Sequence, residues 1–126
     1  MRGALVVACV ALLIVPGAHA QQQDTDPWFG RDKALHFAAS ASIAVVVYAG
    51  ASFQTDSRPK RAIAAASVAL SAGIAKELWD LSGHGDASWR DLTWDVIGAT
   101  TGTLVAYVID WAVSRLRGPA SPVPAR

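Results

Sequence analysis

Along three stretches of this chain the apolar residues run on without a charged break. Phe37 to Val47, Ala62 to Ala75 and Val96 to Ile109 contain no Asp, Glu, Lys or Arg on any face. An amphipathic helix of a soluble bundle carries a polar face every turn; these stretches do not. Start and stop signals frame them as three helices. Asp32 reads as the N-cap of a helix from Lys33 to about Ala49, ended at Gly50. After a loop at 51–58, Pro59 suits the first turn of a second helix running to about Leu81, which Gly83 and Gly85 end. Ser88 with Asp91 reads as a capping-box variant that starts a third helix at Trp89. Gly118-Pro119 stops that helix after Arg117. The predicted fold is all-α, three apolar helices in an up-down-up hairpin bundle over residues 32–117. Three such helices cannot all hide from water in a monomer of this size, so lipid is their expected solvent.

The two ends read differently. Arg2, the apolar run Ala4 to Val15, the breaker Pro16-Gly17 and Ala18-His19-Ala20 make the pattern of a secretory signal peptide over residues 1–20. Residues 21–31 then form a polar leader, and residues 118–126 a Pro-rich tail expected to be disordered. Cys9 is the only cysteine and leaves with the signal, so the mature chain has no disulfide, thiolate nucleophile or thiolate ligand. Val6-Val7-Ala8-Cys9 is also shaped like a lipoprotein processing site, but only eight residues precede Cys9. An exported chain without disulfides points to a bacterial envelope. The formal net charge of +1 argues against a nucleic-acid partner.

Small residues suggest how the helices meet. Gly98 and Gly102 form a GxxxG, Ala65, Ala69 and Gly73 recur every fourth position, and so do Ala38 and Ser42. All ten aromatic residues fall in two groups. Trp28, Phe29, Phe37, Trp79, Trp89 and Trp94 mark one end of the bundle, and Tyr48, Phe53, Tyr107 and Trp111 the other, as interfacial girdles do. One length runs the other way. Arg61 to Lys76 covers only about 22 Å of helix, against roughly 30 Å of hydrocarbon, a gap that snorkelling of both side chains would cover. A peripheral periplasmic bundle therefore stays open as an alternative.

Up-down-up connectivity brings the start of helix 1, the end of helix 2 and the start of helix 3 to one side. Residues 21–33 and 76–95 on that side hold eight acidic and four basic residues, against two and six in residues 56–61 and 110–126. Basic segments stay in the cytoplasm, so the acidic end is expected in the periplasm and the bundle in the inner membrane. The acidic end gathers Asp32, Lys33, His36, Lys76, Glu77, Asp80, Asp91 and Asp95. His36, Glu77 and Asp95 lie at a common shallow depth, each heading a small-residue face. Three readings are open. The cluster is a structural polar knot, with Asp32 and Asp91 complementing helix N-termini. Alternatively His36, Glu77, Asp80 and Asp95 bind a divalent metal. In the third, His36, oriented by Asp95 or Glu77, is a general acid or base of a hydrolase or transferase acting on a lipid-linked envelope substrate. Ionisable groups at membrane depth carry functional weight by default. His84, between two glycines, reads as exposed and mobile.

Asp32-Lys33-x-x-His36-Phe37, Lys76-Glu77-x-x-Asp80 and Ser88-Trp89-x-Asp91-Leu92-x-Trp94-Asp95-x-x-Gly98 together resemble the YfiM-like family of small bacterial envelope proteins, described as periplasmic lipoproteins of unknown function. More distantly, the order of these motifs is similar to the VanZ-like membrane proteins. The resemblance spans about residues 28–110. It implies an envelope location and a helical hydrophobic domain, and brings no catalytic residues. The partners expected from the chain itself are membrane lipids and an envelope protein or a second copy of the chain; no cofactor is identified beyond the divalent metal of the second reading. The early position of Cys9 departs from the lipoprotein pattern.

Overall fold

The computed structural model describes residues 26–118 of the chain. Helix α1 spans Arg31–Ala51, α2 spans Arg58–Trp79 and α3 spans Trp89–Arg117, with a π-helical turn over Asp80–His84. No strand occurs among the described residues, and the three helices form the predicted up-down-up hairpins. The expected signal peptide, residues 21–25 of the expected polar leader and most of the expected tail lie outside the described residues.

Local chemistry explains most helix ends. Ser88 stands at the N-cap of α3 in extended conformation, and its hydroxyl accepts from the backbone N–H of Arg90 and Asp91. Pro59 occupies the first turn of α2, where its missing N–H costs nothing. Gly83 takes φ 97, a left-handed conformation that closes the π-helical turn, and Gly118 with φ 65 ends α3. Helix α1 departs from expectation at both ends. Its N-cap is Gly30, with no side-chain cap, so Asp32 sits inside the first turn as an exposed acidic group rather than at the cap. Gly50 does not stop it; the helix runs on to Ala51, and Ser52 Oγ then donates to the Ala49 carbonyl at 2.6 Å.

Burial is inverted relative to a soluble bundle. The buried hydrophobic residues are Ala44, Tyr48, Ala65, Ala69, Ala99 and Ala106, and no large side chain is fully buried. Lys33, Ser40, Arg61, Glu77, Asp80, Asp91, Asp95 and Thr103 are buried instead, while 22 large hydrophobic residues stand exposed. Each helix turns its small or charged stripe inward: Lys33, Ser40, Ala44 and Tyr48 on α1; Arg61, Ala65, Ala69, Gly73 and Glu77 on α2; Asp91, Asp95, Gly98, Gly102 and Ala106 on α3. Ala38 and Ser42 belong to the outward face, so the expected seam through them is not formed. The α1 seam follows Ser40 and Ala44 because those positions continue the stripe that carries the charged side chains.

Packing is closest between α1 and α3. A Cβ added at Gly98 would collide with the Phe37 carbonyl oxygen, and one at Gly102 with that of Ala41. The two backbones therefore touch across the glycines, a geometry suited to Cα–H···O contacts. The helices are 21, 22 and 29 residues long, about 31, 33 and 43 Å. All three are long and apolar enough to cross a membrane. The short charge-to-charge distance in α2 does not limit its apolar surface, because Arg61 points inward rather than snorkelling. Its Nε donates to the Thr55 carbonyl at 2.7 Å and its Nη1 to Asp110 at 3.2 Å.

Candidate functional site

The charged end is assembled from all three helices and the leader. On α1, Lys33, His36 and Ser40 share one face, one helical turn apart. Lys33 Nζ pairs with Asp91 of α3 and, at 2.5 Å, with Asp26 of the leader. His36 stands between two carboxylates, its Nδ1 at 3.1 Å from Asp95 Oδ2 and its Nε2 at 3.6 Å from Asp91 Oδ2. Ser40 Oγ donates to Asp95 Oδ1 at 2.6 Å. Asp95 fits only because α2 offers Gly73 opposite it. A Cβ there would come to 2.6 Å from the Asp95 carboxylate.

Glu77 closes the third side. Its Oε2 accepts the Ser88 backbone N–H at 2.6 Å, which ties the end of α2 to the start of α3. In a capping box that N–H is served by the residue three positions on; here Asp91 faces Lys33 and His36, and Glu77 takes the N–H. Ligand-type atoms of His36, Glu77 and Asp95 lie within 4.8 Å of one another, as do those of Asp32, His36 and Asp91. Asp80 is in neither group. Its carboxylate pairs with Lys76 at 2.6 Å, one turn back, and lies over Gly85, so its expected place in a metal set with His36 is not realised. Lys76 also reaches Glu77 Oε1 at 3.5 Å, and Asp32 is a rim residue, 3.4 Å from Lys33 Nζ.

The leader contributes what sequence reading missed. Asp26 Oδ2 accepts from Ser88 Oγ at 2.5 Å, the Asp26 backbone carbonyl accepts from Arg90, and the Trp28 carbonyl accepts from Trp94 Nε1 at 2.8 Å. Hydrogen bonds from Lys33 and then Ser88 hold the Asp26 carboxyl below its ordinary range. Arg90 lies 5.4 Å from the rings of both Trp28 and Trp89, which meet edge-to-face at 4.7 Å. A polar tract ahead of a helix carries no periodicity to announce these contacts. His84 is exposed, as expected, but it stacks on Trp79 at 3.9 Å and bonds to Ser82 Oγ at 2.9 Å.

A second ionic group lies at the opposite end. Asp110 Oδ2 accepts from Tyr48 at 3.2 Å, Arg58 Nε at 3.0 Å and Arg61 Nη1 at 3.2 Å. Both ends of the bundle are thus laced by charge across helices, with alanine between.

Chemically, the His36 imidazole has carboxylates at both nitrogens, so neither is turned to an incoming substrate. That arrangement suits charge pairing or ligation better than proton transfer to a third party. Fold and site together define a three-helix apolar bundle with a buried, carboxylate-rich ionic end. No protein-family model, no curated protein and no solved structure matches this chain.

Proposed function

We propose that this chain is an integral membrane protein of the bacterial envelope, with three spans and its carboxylate-rich end in the periplasm, in a structural or partner-binding role. The inverted burial carries the reading. Moving a large apolar side chain out of water is worth about 1.5–3 kcal/mol, so 22 exposed ones represent tens of kcal/mol that water leaves unrealised and lipid supplies. On α2 the exposed large apolar side chains run from Ile63 to Trp79, about 24 Å along the helix against roughly 30 Å of hydrocarbon, with the exposed Lys76 near the charged end. Charge asymmetry between the ends supports the orientation, and the resemblance to YfiM-like proteins supports the envelope location. The enclosed imidazole favours this role over acid–base catalysis on a lipid-linked substrate.

Alkaline carbonate extraction and reporter fusions test the reading together. The chain should stay in the membrane pellet, and a fusion at residues 84–86 should report the periplasm. Release into the supernatant would favour a peripheral bundle, and a cytosolic report would reverse the orientation; either outcome ends the proposal as stated.

A further inference from the structure

The charged end contains more buried negative charge than its own cations balance. Glu77, Asp80, Asp91 and Asp95 are all buried, with 2–8 % exposure, and carry four negative charges as carboxylates. Lys33 and Lys76 supply two positive charges. At the rim, Asp26 and Arg90 offset each other at 3.5 Å, and Asp32 is solvated, its side chain 66 % exposed. Two positive charges are therefore missing from a site that water does not freely enter, and uncompensated buried charge is costly. A doubly protonated His36 supplies one. A divalent cation supplies both and leaves the imidazole neutral, as ligation requires.

We infer that His36, Glu77 and Asp95 form a site for one divalent transition-metal ion, with zinc the species that best suits its ligands. The three residues come from three different helices, and their ligand-type atoms already lie within 4.8 Å of one another. Two ligands on a tetrahedral zinc at 2.0–2.1 Å stand about 3.4 Å apart, and His36 Nδ1 and Asp95 Oδ2 are 3.1 Å apart. One imidazole with two carboxylates suits zinc; calcium takes six to eight oxygens, and magnesium prefers an octahedral oxygen shell with several waters.

The surroundings are those of a ligand set. Asp91 Oδ2, 3.6 Å from His36 Nε2, is placed to receive the proton of the nitrogen that does not ligate, the usual partner of a metal-bound histidine. Ser40 Oγ holds the second oxygen of Asp95, which keeps Oδ2 for the ion. The Ser88 N–H holds Glu77 Oε2, and Glu77 Oε1 becomes a ligand when the Lys76 ammonium, 3.5 Å away on a side chain 45 % exposed, turns to water. Gly73 leaves room beside Asp95. The neighbouring set of Asp32, His36 and Asp91 is excluded because the Lys33 ammonium already sits on Asp91 and within 3.4 Å of Asp32. The inference does not rest on the membrane reading, because the helices themselves bury the site.

The test uses the full mature chain in detergent micelles, stripped with chelator and reloaded with zinc alone. Elemental analysis after desalting should give one zinc per chain, and cobalt substitution should give the absorption bands of a tetrahedral ion. Zinc affinity should fall in Glu77→Gln and Asp95→Asn by more than the roughly 10–100-fold that loss of an outer-shell partner costs. Asp91→Asn should fall within that range, and Asp110→Asn, at the far end, should match the parent. Circular dichroism verifies that each variant is folded. A parent chain that retains no zinc overturns the inference, whatever the variants do. So does a folded Glu77→Gln variant with parental affinity.

Discussion

Replacing Lys33 by Met tests the ionic end most directly. Lys33 and Asp91 are each 3 % exposed, and their side chains meet across α1 and α3. Removing one partner of a buried pair leaves the other charge uncompensated, at a cost of about 3–5 kcal/mol. Two features of the structure set the value within that range. His36 Nε2 remains 3.6 Å from Asp91 and offsets part of the loss. The second carboxylate on Lys33 belongs to Asp26, whose side chain is 37 % exposed, so losing that contact adds no more than about 1 kcal/mol. The expected destabilisation is about 3 kcal/mol. The double replacement Lys33→Met with Asp91→Leu removes both charges and should recover most of it, because buried pairs exchanged for apolar residues are often neutral. Unfolding of the purified bundle in mixed micelles, followed by tryptophan fluorescence against increasing SDS fraction, measures all four corners of the cycle. A Lys33→Met variant within about 0.5 kcal/mol of the parent, the size of an ordinary surface substitution, would refute the reasoning. A double variant whose loss equals the sum of the two single losses would do the same.

Three further outcomes follow from separate parts of the fold. Gly98→Ala places a Cβ against the Phe37 carbonyl, a backbone atom that cannot rotate away; the same assay should show a loss of about 1–3 kcal/mol, whereas outward-facing Ala38→Leu should stay within about 0.5 kcal/mol. Asp110→Asn removes the carboxylate shared by Tyr48, Arg58 and the buried Arg61 and should cost about 1–3 kcal/mol, with Lys60→Gln as a neutral comparison. Lys33 and Ser88 hold the Asp26 carboxyl below its ordinary value of 3.8, so docking of the leader gains full support above that pH and loses it as pH falls through the lowered value. Protease cleavage around Asp26 should accordingly rise only below about pH 4, and equal cleavage across pH 3–7 would contradict the assignment.

Much of the candidate site was legible before any coordinates. The backtracking path of three helices and the depth of His36, Glu77 and Asp95 along them suffice to place those residues at one level, and the structure brings them together. Asp80 shows where such reasoning stops. It sits one turn beyond Lys76, and that local i,i+4 pair competes with any shared site, an outcome that depends on a rotamer rather than on register. Asp26 shows a different limit, because an irregular segment has no period from which to infer its partners. Arg61 was misplaced for a related reason: a charge near a helix end suits either the lipid headgroups or the interior, and only Asp110 opposite it settles the direction.

The sequence by itself determined the number of helices, their hairpin order and the sharing of one end by most of the acidic residues. Those properties follow from unbroken apolar runs, local capping chemistry and helical rise, all of which are short-range. The tertiary structure decided which face of each helix turns inward, and hence that alanine and charge, not leucine and valine, fill the interior. The reason is that a uniformly apolar helix has no hydrophobic stripe to orient it; the glycine seam between α1 and α3 and the ion pairs between helices do so instead, and both exist only once the helices have met.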